Sequence, residues 1–375
     1  MRFLHTADWQ LGMTRHFLDA DAQSRFTSAR TEAIVRIGAV AAAEGCEFIV
    51  VSGDVFEANT LPARVVARAL EALRLVPVPL YLLPGNHDPL EASSVYDSKA
   101  FLRALPEHVH VLREPGITHV RDGVEIIATP WTSKHPTSDP VADGVAGLEP
   151  DGTLRIVVGH GATDTLSPNP LDPALIRVEP LRALLRAGAI HYVALGDRHS
   201  LTEVDPAGIH YSGAPEVTDF IEVDPGKVLV VDCEDGRPAR TTAHVVGTWS
   251  FLDLSFDVNG AADVAVVDET LDAMGDKSLT VLRVSLRGTL SLQEHAELES
   301  VLDRHAETFA ALNRWERHTD LALYVDGDEL TELGVGGFVQ DGVDEIAALA
   351  GDDGPDADTA RDALALLFRL AGGVR

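Results

Sequence analysis

The sequence predicts a layered α/β fold, β-sheets sandwiched by helices, followed by a small α+β domain. Three observations predict it. Short apolar runs at 2–5, 48–51 and 80–83 each end in a polar or glycine-containing turn, the pattern of buried parallel strands. Stretches of helical periodicity separate those runs, giving the order β-α-β-α-β. A length of 375 residues, 45% hydrophobic and 24% charged, allows two or three domains and at least one large core.

Arg2 to His5 is the first strand and leads into Ala7-Asp8-Trp9-Gln10. Ala22 to Glu44 follows as a helix, with Phe26, Ala29, Ala33, Ile34, Ile37, Val40 and Ala41 at roughly helical spacing. Phe48 to Val51 is the second strand and ends in Ser52-Gly53-Asp54-Val55-Phe56-Glu57. Leu61 to Leu75 repeats the helical pattern, entered by Pro62 in its first turn. The third strand, Leu80 to Leu83, ends in Pro84-Gly85-Asn86-His87-Asp88, and Tyr96 to Leu105 is a short helix. Strands then come closely spaced at 109–112, 117–120, 124–128 and 154–158, so part of the sheet is mixed or antiparallel. Thr132 to Gly152 reads as a loop rich in Pro, Gly and Asp. The 154–158 strand runs into Gly159-His160-Gly161. After a helix over 179–187, His191 to Leu195 runs into Gly196-Asp197-Arg198-His199. Strands at 201–204, 209–212 and 228–232 follow, and 241–246 closes the sheet.

A change of texture near Gly247 separates a domain over 1–247 from a small α+β domain over 248–335. The latter carries strands at 251–256, 279–286 and 321–325 and helices at 262–274 and 292–309. From His318 to Ala360 there are twelve Asp or Glu and no Lys or Arg. Residues 336–375 read as an acidic linker, including Gly351-Asp-Asp-Gly-Pro355, and an amphipathic helix over 357–370. The Leu/Phe face of that helix suits either plain packing or docking to a partner.

The net charge of −29 repels nucleic acid and anionic membranes at long range, so any DNA contact must be local. Cys46 and Cys233 lie far apart in apolar stretches and read as buried free thiols of a reducing cytoplasm. No run approaches the ~20 apolar residues needed to span a bilayer, and the N-terminal residues lack a signal peptide's apolar core. The expectation is a soluble cytoplasmic protein without membrane contact.

Groups at the carboxyl ends of parallel strands gather at one edge of the sheet. The polar strand ends bring together Asp8, Gln10, Asp54, Glu57, Asn86, His87, Asp88, His160, Asp197 and His199, in outline a metal site. This set resembles the calcineurin-like metallophosphoesterases, whose motifs run D-x-H, G-D-x-x-D/E, G-N-H-D/E, G-H and G-H-x-H. More narrowly, residues 5–12, the Gly53–Glu57 and Pro84–Asp88 turns, and Tyr211-Ser-Gly-Ala-Pro215 look like the nuclease subunit of the SbcCD and Mre11–Rad50 class.

The resemblance implies two divalent metal ions. One would be held by Asp8, Gln10, Asp54 and His199, the other by Asp54, Asn86, His160 and Asp197, with Asp54 bridging. Such a pair suits phosphodiester hydrolysis. His87 would face the phosphate and stabilise its transition state, with Asp88 orienting His87 from behind. The chain departs from the family where Gln10 and Asp197 replace histidines, which favours Mn²⁺ or Mg²⁺ over softer metals. Trp9 and Arg198, beside the ligands, could stack on a base or hold a phosphate, with core packing an equal reading for Trp9, and Trp131 with Lys134 and His135 forms a basic-aromatic spot suited to DNA. Glu57 is either a support for the ligands or a helix-start acid. His5, His108, His110, His119, His191, His210 and His244 have no motif role and read as structural. The implied activity is a Mn²⁺-dependent DNA exonuclease and endonuclease in repair, a homodimer working with an SbcC/Rad50-like ATPase. The alternatives are a small-molecule phosphodiesterase or phosphatase of the same fold, and a catalytically degenerate scaffold.

Overall fold

Alternation along the apolar strands decides how the layers stack in the computed structural model. It describes residues 1–324, 338–350, 354, 356, 357, 359, 360, 362–364 and 366. The chain divides into two compact units, Met1–His16 with Gln23–Trp249, and Phe17–Ala22 with Ser250–Arg375.

In the first unit β1 (Arg2–Thr6), β2 (Ile49–Val51), β3 (Leu80–Leu82) and β4 (Val109–Val111) pair in parallel in that order. β11 (Lys227–Asp232) and β12 (Arg240–Val245) add antiparallel on the other side of β1, making a six-stranded sheet. A second sheet has a parallel centre of β6 (Val124–Ala128), β7 (Leu154–His160), β8 (Tyr192–Gly196) and β10 (Ile209–Tyr211). β5 (Gly116–Arg121) and β9 (Thr202–Asp205) flank it antiparallel. Its six strands therefore run in the order β5-β6-β7-β8-β10-β9.

Phe3, Phe48, Val50 and Tyr81 on one face of the first sheet share a core with Ile126, Ala128, Ile156, Val158, Tyr192 and Ala194 of the second. The intervening residues Leu4, Ile49, Val51, Leu80 and Leu82 point the other way. They pack on Ile34, Ile37 and Ala41 of α1 (Ala20–Ala43) and Val66, Ala69, Leu70 and Leu73 of α2 (Ala63–Leu73). On the far side, Ile127, Val157, Val193 and Leu195 meet Val141 and Val145 of α4 (Pro140–Val145) and Val178 and Leu181 of α5 (Val178–Ala187). The result is helix, sheet, sheet, helix. Strands buried on both faces must be apolar at every position, which is why these runs do not alternate in polarity.

Helix ends follow their chemistry. Ser98 accepts the Phe101 N–H at the start of α3 (Lys99–Ala104), and Gly188 takes the left-handed conformation (φ 72°) that ends α5. The loop expected over Thr132–Gly152 contains α4, a helix of six residues capped by Asp139, which accepts the Val141 N–H at 2.9 Å. Six residues are too few to register a helical period.

The structural histidines behave as polar groups inside a core must. The His5 ring lies between the Tyr192 hydroxyl (3.1 Å) and the Leu195 carbonyl (3.2 Å). Burial, aided by His210, pushes its pKa down to about 3, so it stays neutral. Cys46 and Cys233 are buried and unpaired.

In the second unit β14 (Thr280–Ser291) is the hub. β13 (Ser250–Val258), β15 (Ala311–Arg314) and β16 (Asp320–Tyr324) all pair parallel to it, a relation the sequence left open. α6 (Ala261–Ala273) and α7 (Leu292–Ala306) cover the sheet, with Val264, Val267, Leu271, Leu298 and Leu302 in its core. Ser291 and Glu294 form a capping box on α7: the Ser291 side chain accepts the Glu294 N–H, and Glu294 accepts the Ser291 N–H at 2.9 Å. The stretch expected as acidic linker holds helix α8 (Phe338–Ala350), whose Val343 and Ala350 pack with Leu292. Half of the expected 357–370 helix lies outside the described residues. Among those described, no helix is long and apolar enough to cross a membrane.

Candidate metal centre

The carboxyl ends of β1, β2 and β3 in one sheet, and of β7 and β8 in the other, open on one place. The turns are knitted by main-chain hydrogen bonds: Asp8 N–H to the Gly53 carbonyl (3.1 Å), Gln10 N–H to the Asp54 carbonyl (2.9 Å), Gly161 N–H to the Gly196 carbonyl (3.1 Å). Two glycines exist for this approach. A Cβ on Gly53 would stand 2.0 Å from His160 Nδ1, and one on Gly196 would stand 1.9 Å from the Ser52 carbonyl oxygen. Asp8, Gln10, Asp54 and Asp197 adopt positive φ values of 54°, 44°, 52° and 99°. L-residues with side chains take that conformation at a cost of about 1–3 kcal/mol, and such strain gathers at functional sites.

Asp8, Asp54 and His160 offer ligand atoms all within 4.8 Å of one another. His160 Nε2 lies 2.7 Å from Asn86 Oδ1, 3.4 Å from Asp54 Oδ1 and 3.9 Å from Asp197 Oδ1. Its Nδ1 donates to the Ser52 carbonyl at 2.8 Å, which leaves Nε2 to face the carboxylates. Asp197 is tied in by its own N–H, which donates to Asp8 Oδ1 at 2.9 Å. His199 Nε2 meets Gln10 Nε2 at 3.1 Å.

The carboxylates and imidazoles of the cluster shift one another's proton affinities. Burial would lower the His160 pKa, but Asp54, Asp8 and Asp197 outweigh it and lift it to about 10. Burial lifts Asp8 to about 6 against the pull of His199 and His160. Burial acts on Asp54 too, yet His160 and His87 hold it below the ordinary carboxylate range. Asp8 Oδ2 and Gln10 Oε1 are buried with no hydrogen-bond partner. Buried acceptors of this kind are rare without a partner. Carboxylate, amide and imidazole donors with two orphaned oxygens fit a hard divalent cation.

His87 stands at the rim, its side chain 37% exposed. Its N–H donates to Asp54 Oδ1 (2.9 Å), and its Nδ1 donates to the Glu57 carbonyl (3.0 Å). Nε2 is left open, 3.9 Å from Asp54 Oδ2. Glu57 thus supports the site through its backbone.

Two sequence expectations are corrected, for Asp88 and Trp131, and the two readings open for Trp9 are decided. Asp88 does not orient His87; it is buried and accepts from Gly85 N–H (2.7 Å), Phe56 N–H (3.0 Å) and the Tyr96 hydroxyl (2.6 Å). It braces the turn. Trp9 is 2% exposed in the core beneath α1 and donates its indole N–H to Thr6 Oγ1 (2.9 Å), so it offers no stacking face. Trp131 is 9% exposed and donates its indole N–H to the His160 carbonyl (2.7 Å), anchoring that turn. Lys134 is exposed, and its N–H donates to Glu91 Oε1 (2.9 Å); it meets none of the cluster among the described contacts. Arg198 is exposed and lines a cavity of about 370 Å³ with Arg15, Asp197, His199, Thr218 and Glu222. Sequence reasoning missed Arg15, Thr218 and Glu222, for which no motif gave a signal.

The bracing role of Asp88 has a measurable consequence. Asp88→Ala orphans three buried donors at about 1–3 kcal/mol each. The loss is offset in part because burial already strains the carboxylate, lifting its pKa to about 6. A net destabilisation of roughly 2–4 kcal/mol is expected in denaturant titration, and less for Asp88→Asn, which keeps one acceptor. Unchanged stability in both would refute the bracing.

Comparison with known proteins bears on this geometry. The model of the calcineurin-like phosphoesterase family matches residues 1–201. The chain belongs to that family. It is therefore a phosphoesterase of the metal-dependent kind, and its fold is the metallophosphoesterase fold. It is also similar to the D subunit of the nuclease SbcCD of Rhodobacter capsulatus, 27% identical over 64% of this chain and 68% of the relative. The "DNA double-strand break repair protein Mre11" of Archaeoglobus fulgidus is 25% identical over 75% of this chain and 65% of its own length. The chain thus spans about two thirds of the length of these curated relatives. A solved structure, TT1561 of Thermus thermophilus, overlays on 65% of this chain and 98% of its own at 13% identity, with a TM-score of 0.40.

Proposed function

We propose that the phosphoesterase is a Mn²⁺-dependent DNA nuclease, degrading from ends and opening strands internally. One observation supports this most: Asp8, Gln10, Asp54 and His160 are buried beside the half-buried Asn86, Asp197 and His199, with Asp8 Oδ2 and Gln10 Oε1 unpartnered, and His87 stands at the open rim. Two divalent cations, when bound, would supply Lewis-acid stabilisation to a phosphodiester. Asp8, Gln10, Asp54 and His199 would hold one, and Asp54, Asn86, His160 and Asp197 the other. Gln10 and Asp197 add hard oxygens in place of nitrogens, which favours Mn²⁺ or Mg²⁺.

His87 keeps its Nδ1 proton on the Glu57 carbonyl and turns Nε2 outward, where it can exchange a proton with a departing oxygen. Arg198 and Arg15 at the adjoining cavity would take a neighbouring phosphate. In a chain of net charge −29 such local cations are what a polyanion needs. As the resemblance drawn from the sequence implies, the second unit would cap the DNA, and the active form would be a cytoplasmic homodimer working with an SbcC/Rad50-like ATPase.

Purified protein with Mn²⁺ tests the reading against labelled duplex ends, single strands and a small aryl phosphodiester. Cleavage of DNA is expected. Turnover of the aryl diester alone would favour a small-molecule phosphodiesterase, and no turnover of either would favour a degenerate scaffold. Gln10→His is expected to tighten one of two Mn²⁺ sites in calorimetric titration, because imidazole is a stronger donor than a neutral amide. Unchanged affinity would mean that position 10 is not a ligand.

A further inference from the structure

We infer that Glu222 is a positioning residue for this centre, holding the His199 proton on Nδ1 and so presenting Nε2 to the cation. The inference rests on the metal-centre reading above. Glu222 lies beyond the residues that the family model matches. Its side chain is 4% exposed, and its Oε1 stands 3.0 Å from His199 Nδ1. Thr218 Oγ1, also buried, is 2.6 Å from the same nitrogen.

The proton count leaves one arrangement. The Thr218 hydroxyl donates to Glu222 Oε1, and the Thr218 N–H donates to Glu222 Oε2 at 2.9 Å. With its hydrogen spent, the hydroxyl oxygen can only accept from His199. A carboxylate can only accept as well. Both partners of Nδ1 are therefore acceptors, and the proton of the neutral ring sits there. Nε2 then carries the bare lone pair.

The consequence reaches a second ligand position. A bare Nε2 must be met by a donor, and the amide nitrogen of Gln10 is the atom 3.1 Å from it. That turns Gln10 Oε1 away as the buried oxygen without a partner. One carboxylate thus sets the tautomer of His199 and, through it, the side of the Gln10 amide left for a cation. Carboxylates behind metal-binding histidines tune them in this way, and their loss costs about 10–100-fold in affinity. A purely structural Glu222, bracing the 218–222 turn, would need the Thr218 N–H and nothing from His199.

The test uses the full chain and two readouts. Long-range nitrogen–proton NMR, at a pH alkaline enough to leave His199 neutral, reports which ring nitrogen holds the proton. Mn²⁺ titration reports affinity. Wild type is expected to carry Nδ1–H. Glu222→Gln, with circular dichroism like wild type, is expected to lose that preference and to weaken one Mn²⁺ site by about 10–100-fold while sparing the other. Thr218→Ser, which keeps the hydroxyl, should bind Mn²⁺ as wild type does. Nε2–H in the wild type overturns the inference outright, even if Glu222→Gln does not fold. So does a folded Glu222→Gln with unchanged tautomer and affinities. Wild type that takes up no Mn²⁺ overturns the function proposed above; the proton position then decides for or against the Glu222 assignment by itself.

Discussion

Asp54→Ala is expected to abolish Mn²⁺ binding at the shared position and to reduce phosphodiester cleavage by at least about 10³-fold, the several kcal/mol that Lewis-acid stabilisation supplies. Asp54 reaches both the buried His160 and the His87 at the rim. Asp54 Oδ1 accepts the His87 N–H at 2.9 Å and lies 3.4 Å from His160 Nε2, while Oδ2 faces the His87 ring at 3.9 Å. A carboxylate has two oxygens with spare lone pairs and can bridge two cations, which alanine cannot. Loss of this carboxylate also removes the acceptor of the His87 N–H and the charge that His160 and His87 stabilise, so the variant is expected to be less stable than its parent. Metal affinity and cleavage are therefore compared below its melting transition, which separates the effect from unfolding. Calorimetric Mn²⁺ titration, thermal denaturation and a nuclease assay on one preparation check it; full activity with the metal affinity unchanged would remove Asp54 from the centre.

The residues that made the site legible are those whose neighbours in sequence left them no freedom. Asp54 follows Gly53 and His160 follows Gly159 at the ends of apolar strands, so strand direction alone carries them to one place. What direction could not tell is which sheet a strand joins. β1 and β7 are equally apolar, and the candidate ligands lie where two sheets end together. Adjacency misled at Asp88 and could not decide Trp9. Each neighbours a site residue, but the tight left-handed turns at Asp8 and Gln10 throw the intervening indole inward, and Asp88 turns to Gly85, Phe56 and Tyr96. Glu222 and Thr218 were invisible for the opposite reason. They meet His199 across 23 and 19 positions from a segment without a motif, and only packing brings them there. Short or acidic elements were lost too: β15 is four residues with an Asn and an Arg, and α8 carries Gly342 and three acids, so neither presents a clean apolar period.

His87→Ala should divide the site's two tasks. Its link to Asp54 is made by the main-chain N–H, which alanine keeps, and its side chain is bonded to the Glu57 carbonyl and not to any candidate ligand. Mn²⁺ affinity and stoichiometry are therefore expected to match wild type. Cleavage should fall by about 10²–10⁴-fold, the range for a positioned proton-transfer group. The loss should be smaller for substrates whose departing group needs no proton, such as a nitrophenyl ester, because Nε2 then has less to do. A comparison of DNA with that ester in the same variant reads this directly. If Mn²⁺ binding falls along with cleavage, as it should in Asp54→Ala, His87 belongs among the ligands; if the ester and DNA lose activity equally, its work is charge stabilisation in the transition state and not proton transfer.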